Sequence, residues 1–204
     1  EHESYAAFGQ FDVHLSDSFV LTAGLRWTKE KKDMVNTFTE DAPPELNPLL
    51  PNWGFYLFDA FAPYPDVSEE IDDDEVTGTA KLSWFANDTV MFYASYGTGY
   101  KAGGINTDRV SPAFSILLEP ETSEAYEIGM KADFPEQALR LNVAVHKTDT
   151  DDLQTLSFQG TGFALNNAGV AETQGLEMDL YWQATESIGF TLGYAYNDGE
   201  YADF

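Results

Sequence analysis

The chain has 204 residues, with Lys plus Arg at 10 and Asp plus Glu at 35, so its formal net charge is −25. Phosphate backbones are held by clustered Lys and Arg, which excludes nucleic acid as a partner. An apolar content of 43% is too high for a disordered acidic tail, and the absence of cysteine removes disulfides, thiolate zinc sites and thiol nucleophiles.

No apolar run approaches the ~18 residues of a spanning helix. The chain opens Glu1-His2-Glu3-Ser4, with no signal-peptide pattern. Barrel strands cross a bilayer with about 9–11 residues of alternating polarity, so a membrane remains open as a partner.

Alternation at period two dominates the chain. A first run covers Tyr5 to Leu15. Next, Phe19, Leu21, Ala23, Leu25 and Trp27 share one face, opposed by Val20, Thr22, Gly24, Arg26 and Thr28. Val76 to Trp84 follows, then Val90 to Thr98, Tyr126 to Phe134, Leu139 to His146, Leu176 to Gln183 and Phe190 to Asn197. Each predicts a strand with two unlike faces, about eight in all, and no segment reads as a long helix.

The connections are of two kinds. Four are short: Ser16-Asp17-Ser18, Ala86-Asn87-Asp88, Pro135-Glu136-Gln137 and Thr185-Glu186-Ser187. Three are long, about Lys31 to Asp74, Tyr100 to Pro120 and Asp149 to Ala168. Their strict alternation predicts an antiparallel up-and-down sheet, with tight turns at one end and elaborated loops at the other.

Two features favour lipid on the apolar face. Trp84, Phe134 and Trp182 precede short turns, while Trp27, Tyr96 and Tyr100 lie toward the long loops, as in two interfacial girdles. The opposite face carries Arg26, Lys81, Glu127, Lys131, Asp133, Arg140 and His146, which suits a wet barrel lumen. A soluble antiparallel β-sheet binding protein also alternates, as does a small complete outer-membrane barrel with a structural role.

Several segments resemble one family. Tyr5-Ala6-Ala7-Phe8-Gly9-Gln10-Phe11 leading to Leu21-Thr22-Ala23-Gly24-Leu25-Arg26-Trp27 is similar to the first hairpin of that pattern. Tyr93-Ala94-Ser95-Tyr96-Gly97-Thr98-Gly99-Tyr100-Lys101-Ala102-Gly103-Gly104-Ile105-Asn106 resembles its "YASYSKGYKAGGFN" segment. Pro120-Glu121-Thr122 with Tyr126-Glu127-Ile128-Gly129-Met130-Lys131 resembles its "PET…YEIGLK" strand. Asn167-Ala168-Gly169 with Gly175-Leu176-Glu177 resembles its "NAG…GLE" strand. The order and coverage identify the chain as a member of the TonB-dependent outer-membrane receptors, from the central part of their β-barrel.

The resemblance implies a plugged barrel of about 22 strands in the Gram-negative outer membrane. Such a receptor imports a scarce nutrient such as a ferric siderophore, with energy delivered by the TonB complex through the plug. Vitamin B12, saccharides and other metal chelates lie within the same family range. Residues 1–204 are expected to form a partial barrel, with plug, TonB box and remaining strands absent. Placing the four short turns in the periplasm puts both chain ends on the extracellular side, which disfavours a self-contained eight-stranded barrel and a signal role for Phe204.

No catalytic constellation, metal set or cofactor motif is present, and no enzyme is expected. His2, His14 and His146 are far apart in sequence. The run Glu69-Glu70-Ile71-Asp72-Asp73-Asp74-Glu75 is expected to be a solvated extracellular loop, with Ca²⁺ as the sharper alternative. Asp149, Asp151 and Asp152 lie at the base of another loop and lack the glycine and distal glutamate of an EF-hand. The loop from Asn52 to Tyr64 carries Trp53, Phe55, Tyr56 and Phe58, an expected stacking platform for an extracellular ligand. Glycines from Gly97 to Gly104 are expected to allow a bend or close approach, with Lys101 at the lumen mouth. Arg26, Lys81, Glu127, Lys131 and Arg140 are expected to face the lumen and hold the plug.

Overall fold

The computed structural model describes residues 1–37, 66–106, 115–158 and 163–203. The long alternating runs become eight long strands: β1 (His2–Ser16), β2 (Phe19–Asn36), β3 (Val67–Phe85), β4 (Val90–Lys101), β7 (Glu121–Phe134), β8 (Leu139–Asp151), β11 (Val170–Thr185) and β12 (Ile188–Asp203). They form one antiparallel sheet in the order β1-β2-β3-β4-β7-β8-β11-β12, so each strand lies beside its sequential long neighbours. The sheet is open, with β1 and β12 at its edges.

All four short turns stand where the sequence places them. At the β3–β4 turn, Asn87 Oδ1 accepts from the Thr89 and Val90 amides, each at 2.9 Å, and from the Thr89 hydroxyl at 2.8 Å. A side-chain oxygen thereby satisfies donors that the ladder leaves free. Between β7 and β8, Pro135–Gln137 form a 3-10 turn, closed by Ala138 in the left-handed region at φ 47°.

Two of the long connections are not featureless. β5 (Gly104–Ile105) pairs with β6 (Leu117–Leu118), and β9 (Leu153–Phe158) pairs with β10 (Phe163–Ala168). Each pair is a separate two-stranded sheet.

The third long connection is shorter than expected, because β2 runs on to Asn36 and β3 starts at Val67. The acidic run Glu69–Glu75 is therefore strand, not loop. It pairs residue for residue with β2, from Met34↔Glu69 to Thr28↔Glu75. The reason is the lysine-rich stretch of β2: Lys29 Nζ meets Asp72 at 2.7 Å and Lys31 Nζ meets Glu70 at 2.7 Å. Opposite charges across the strands favour the ladder that acidic repulsion alone would oppose.

The register turns period-two alternation into two continuous surfaces. One row crosses all eight strands as Val13, Leu21, Leu82, Ala94, Ile128, Val145, Leu176 and Tyr196. The next row, one residue along, is Asp12, Thr22, Lys81, Ser95, Glu127, His146, Gly175 and Asn197. Successive side chains point to opposite faces, so the first row belongs to an apolar face and the second to a polar one. A slip of one residue would exchange them.

Aromatic rings mark two levels on the apolar face. Near the short turns, Trp84 stacks between Phe19 and Phe92, with centroids at 6.2 and 5.5 Å, and Trp182 stacks on Phe190 at 5.7 Å. Toward the loop end, Tyr96 meets Tyr126 at 5.1 Å. The two turn-end groups are offset: Phe92 pairs with Met130, whereas Phe134, in the row of Trp182 and Phe190, lies four residues further along β7. At ~3.3 Å per residue and ~4.8 Å per strand, this offset across roughly three and a half strands gives a tilt of about 40°. That angle lies in the range strands adopt when a sheet closes into a barrel.

The buried apolar side chains among the described residues are few and small: Val67, Ile71, Leu118, Ala132, Ala164 and Ala168. Three of the six belong to the β5–β6 and β9–β10 hairpins. The apolar face of the sheet is uncovered, with Leu25 66% and Ile128 69% exposed. A soluble sheet hides such a face under a second layer, and none lies over it among the described residues.

Candidate functional site

The polar face and the loop end above it carry the polar chemistry of the chain. On the polar face, Arg26 lies over the Phe8 ring, 5.8 Å from its centroid, and its Nε donates to Thr28 at 3.1 Å. Lys81 lies one strand from Thr22, whose hydroxyl donates to Asp12. Glu127 accepts a hydrogen bond from the Tyr93 hydroxyl at 2.5 Å. Lys131 Nζ stands 5.8 Å from the centroid of the same tyrosine. Arg140 forks onto Asp133, with Nη2 at 2.7 Å and Nε at 3.1 Å. The register thus puts Arg26, Lys81, Glu127, Lys131 and Arg140 on one face but spreads them across its width. They make a mixed-charge wall rather than one pocket.

Tyr93 sits where the wall is built from small residues. Its row continues through Gly129 and Ala144, before Glu177 and Ala195. A Cβ on Gly129 would fall 2.5 Å from the ring, so the tyrosine lies across the bare backbone of β7. Glycine in a strand permits this close approach. Near the wall's far edge, a Cβ on Gly175 would meet His146 Nε2 and Asn197 Oδ1.

The loop end is tied together by polar contacts. Gly103 is gripped from both sides: its amide donates to Asp73 Oδ2 at 3.2 Å, and its carbonyl accepts from Lys32 Nζ at 2.6 Å. A side chain at Gly103 would place Cβ 2.5 Å from the Leu118 carbonyl, and one at Gly104 would place it 2.9 Å from the Leu118 side chain. The paired glycines therefore let β6 lie directly on the chain leaving β4. Lys101 Nζ pairs with Glu121 at 3.3 Å, and Glu121 also accepts from the Gln154 amide at 2.8 Å.

Beyond the aromatic level of Trp27, Asp72 is held below its ordinary value by the hydrogen bond and charge of Lys29, which outweigh its slight burial. Lys29 is raised in turn by Asp72, and Lys31 by Glu70. The histidines stay dispersed, and no group of three or more metal-ligating side chains stands together among the described residues. Trp53, Phe55, Tyr56 and Phe58 lie outside the described residues. The asparagine and glutamine contacts of the two small hairpins, described below, were not singled out from sequence. Their only sequence trace is the placing of Asn106 and Asn167 inside the family-like segments.

A groove of about 460 Å³ opens beside Tyr126, Ile128, Val145, Leu176 and Tyr196, and Glu127, His146 and Lys147 also line it.

Comparison with known proteins gives this architecture its family. The chain is 24% identical over 204 residues to the probable TonB-dependent siderophore receptor PiuA of Acinetobacter baumannii, covering 97% of this chain and 24% of that protein. It is 26% identical over 184 residues to the pesticin receptor of Yersinia pestis, covering 89% of this chain and 24% of that one. Its fold superposes on the ferric yersiniabactin uptake receptor FyuA from Yersinia pestis with a TM-score of 0.73 at 21% identity, over 98% of this chain and 27% of that one. The chain thus spans about a quarter of the length of the relatives it matches. These relatives are transport receptors, and the family's barrels lie in the outer membrane of Gram-negative bacteria. The family described as TonB dependent receptor-like, beta-barrel, matches residues 1–204, and the chain belongs to it.

Proposed function

We propose that the receptor of which this segment is part binds a ferric siderophore outside the cell and imports it with energy from the TonB complex. The observation that carries the reading is a sheet with one uncovered apolar face and one mixed-charge face. Its fold matches a ferric yersiniabactin uptake receptor along nearly its whole length. In this reading the apolar face meets outer-membrane lipid. The aromatic levels at Phe19 and Trp27 are eight residues apart on β2, about 27 Å along the strand and about 20 Å along the normal at the tilt above. That is close to the ~25 Å apolar band of such barrels.

The mixed-charge face then borders the lumen. Arg26, Lys81, Glu127, Lys131 and Arg140 contact the plug and the water around it. Residues 1–204 serve as a partial barrel, with the plug, TonB box and remaining strands supplied elsewhere in the receptor. At the loop end, Trp53, Phe55, Tyr56 and Phe58 supply flat apolar surface for the ligand. Aromatic rings suit this role because they bury large area at small conformational cost.

The test uses the full-length receptor. A strain lacking it is starved of iron and supplied with single ferric siderophores, and uptake of labelled iron is measured with and without TonB. Uptake that needs both receptor and TonB supports the reading. Normal iron uptake with lost uptake of vitamin B12, a saccharide or another chelate would replace the substrate. Trp53→Ala with Phe55→Ala should weaken binding of the transported complex at least tenfold; unchanged affinity would retire the aromatic platform.

A further inference from the structure

The β5–β6 and β9–β10 hairpins share no strand ladder, yet two asparagines join them in a reciprocal way. Asn106, just after β5, donates from Nδ2 to the Leu165 carbonyl at 2.9 Å and accepts at Oδ1 from the Leu165 amide at 2.9 Å. Asn167, on β10, grips the other hairpin's flank in the same manner. Its Oδ1 accepts from the Glu119 amide at 3.0 Å, and its Nδ2 donates to the Glu119 carbonyl at 3.0 Å. Each side-chain amide thus does for one residue what a neighbouring strand would do, filling both the N–H and the C=O of an edge position.

Each asparagine also holds its own surroundings. Asn106 Nδ2 reaches the Ser115 carbonyl at 3.0 Å, which continues the pairing of β5 and β6 past Ile105 on its loop side. Asn167 Nδ2 reaches the Asp152 carbonyl at 2.7 Å, at the entry to β9. Gln154 on β9 adds a third link, donating from Nε2 to the carbonyls of Ala102 at 3.0 Å and Glu119 at 3.1 Å. Asn106 is only 8% exposed, and Leu118, Ala164 and Ala168 of the same two hairpins are buried. A buried amide with all its partners in place is costly to unmake, because any group released loses its partner away from water.

By contrast, among the described residues the side-chain hydrogen bonds from the β2–β3 wall to the start of this assembly come from Lys32 and Asp73 to the two sides of Gly103, and Lys32 also pairs with Glu30 at 3.5 Å. We propose that Asn106 and Asn167 are positioning residues that lock the β5–β6 and β9–β10 hairpins into one body, so that two loops distant in sequence move as a single unit at the extracellular end. This holds whichever nutrient the receptor carries.

The experiment uses the full-length receptor in detergent, without ligand. This segment has no cysteine of its own, so spin labels enter through Leu117→Cys on β6 or Leu156→Cys on β9, both exposed positions. Asn167→Leu, made in the β9–β10 hairpin, should loosen the label at position 117 in the other hairpin, shortening its rotational correlation time at least twofold. Asn106→Leu should do the same to the label at 156. Asn167→Asp keeps the acceptor and loses the donor, so its effect should lie between. A label at Val145, on the sheet, should not respond. If each variant loosens only its own hairpin, or neither, the hairpins are independent and the proposal is overturned. Should Asn167→Leu fail to assemble, Gln154→Leu removes only the third link and must still loosen the label at 117, or the proposal fails. Iron uptake is not read here, so loss of coupling and loss of the transport reading are separate outcomes.

Discussion

Tyr93 on β4 lies across Gly129 on β7 and donates its hydroxyl to Glu127, two residues away on that same strand, at 2.5 Å. The ring covers the bare glycine, and the hydroxyl anchors the ring. Gly129→Val should therefore displace Tyr93 and break its hydrogen bond, costing about 1–3 kcal/mol by overpacking together with a lost partner. Urea unfolding of the full receptor measures it. Tyr93→Phe keeps the ring and should cost about 0.5–1.5 kcal/mol. Equal losses for both would mean that the hydroxyl, not the ring over the glycine, holds this part of the wall.

Ala80 and Thr79 are adjacent and face opposite ways. Ala80 pairs with Ala23, which lies midway between Phe19 and Trp27 on β2. Ala80→Arg should cost about 2–4 kcal/mol, the penalty for a cation on the lipid face near mid-membrane. Thr79→Arg should be tolerated within about 1 kcal/mol because that face is wet. Folding titrations into lipid vesicles compare the two, and equal costs would contradict the assignment of faces.

The β2–β3 extension should respond to acid. Asp72 is lowered by Lys29, so its contribution is complete above the ordinary aspartate value and disappears as pH falls through the depressed one. Lys29 and Lys31 are raised, so theirs is present below the ordinary lysine value and is lost as pH rises through the elevated one. Amide exchange at Lys31 and Ile71, corrected for intrinsic rates, should gain opening at both extremes while the Leu21–Leu82 region stays protected. Lys29→Gln should remove most of the acid response. Exposed pairs of this kind are screened, so 1 M salt should reduce it as well.

Segment 1–204 expressed by itself should not insert as a monomer. Its sheet ends at β1 and β12, and each edge presents a row of unpaired backbone groups. In hydrocarbon each such group costs several kcal/mol. Heat-resistant insertion of monomeric 1–204 into liposomes would contradict this.

Much of the sheet was legible in the sequence, for a simple reason. A strand with unlike faces prints its polarity at period two, and turns print Asp, Asn, Ser and Pro between the runs. Phe19 through Trp27 and Leu176 through Trp182 therefore read directly as strands, and Asn87 as a turn residue. The acidic run was misread because local charge argues for solvation. Only pairing with Lys29 and Lys31, some forty residues away, makes it a strand. The β9–β10 hairpin was missed because its strands are six residues each and broken by no clear alternation.

What the sequence determined by itself was the period, the two faces, the four short turns and, through its motif order, the family. What the tertiary structure decided was everything that depends on register and contact between distant segments. It decided which rows align across eight strands, the stagger that sets the tilt, the glycine beneath Tyr93, and the grip of Asn106 on Leu165 and of Asn167 on Glu119. Period is a property of neighbours along the chain, where side chains alternate by geometry alone. Register and amide contacts join residues tens of positions apart, and only the folded backbone brings those groups within hydrogen-bond reach.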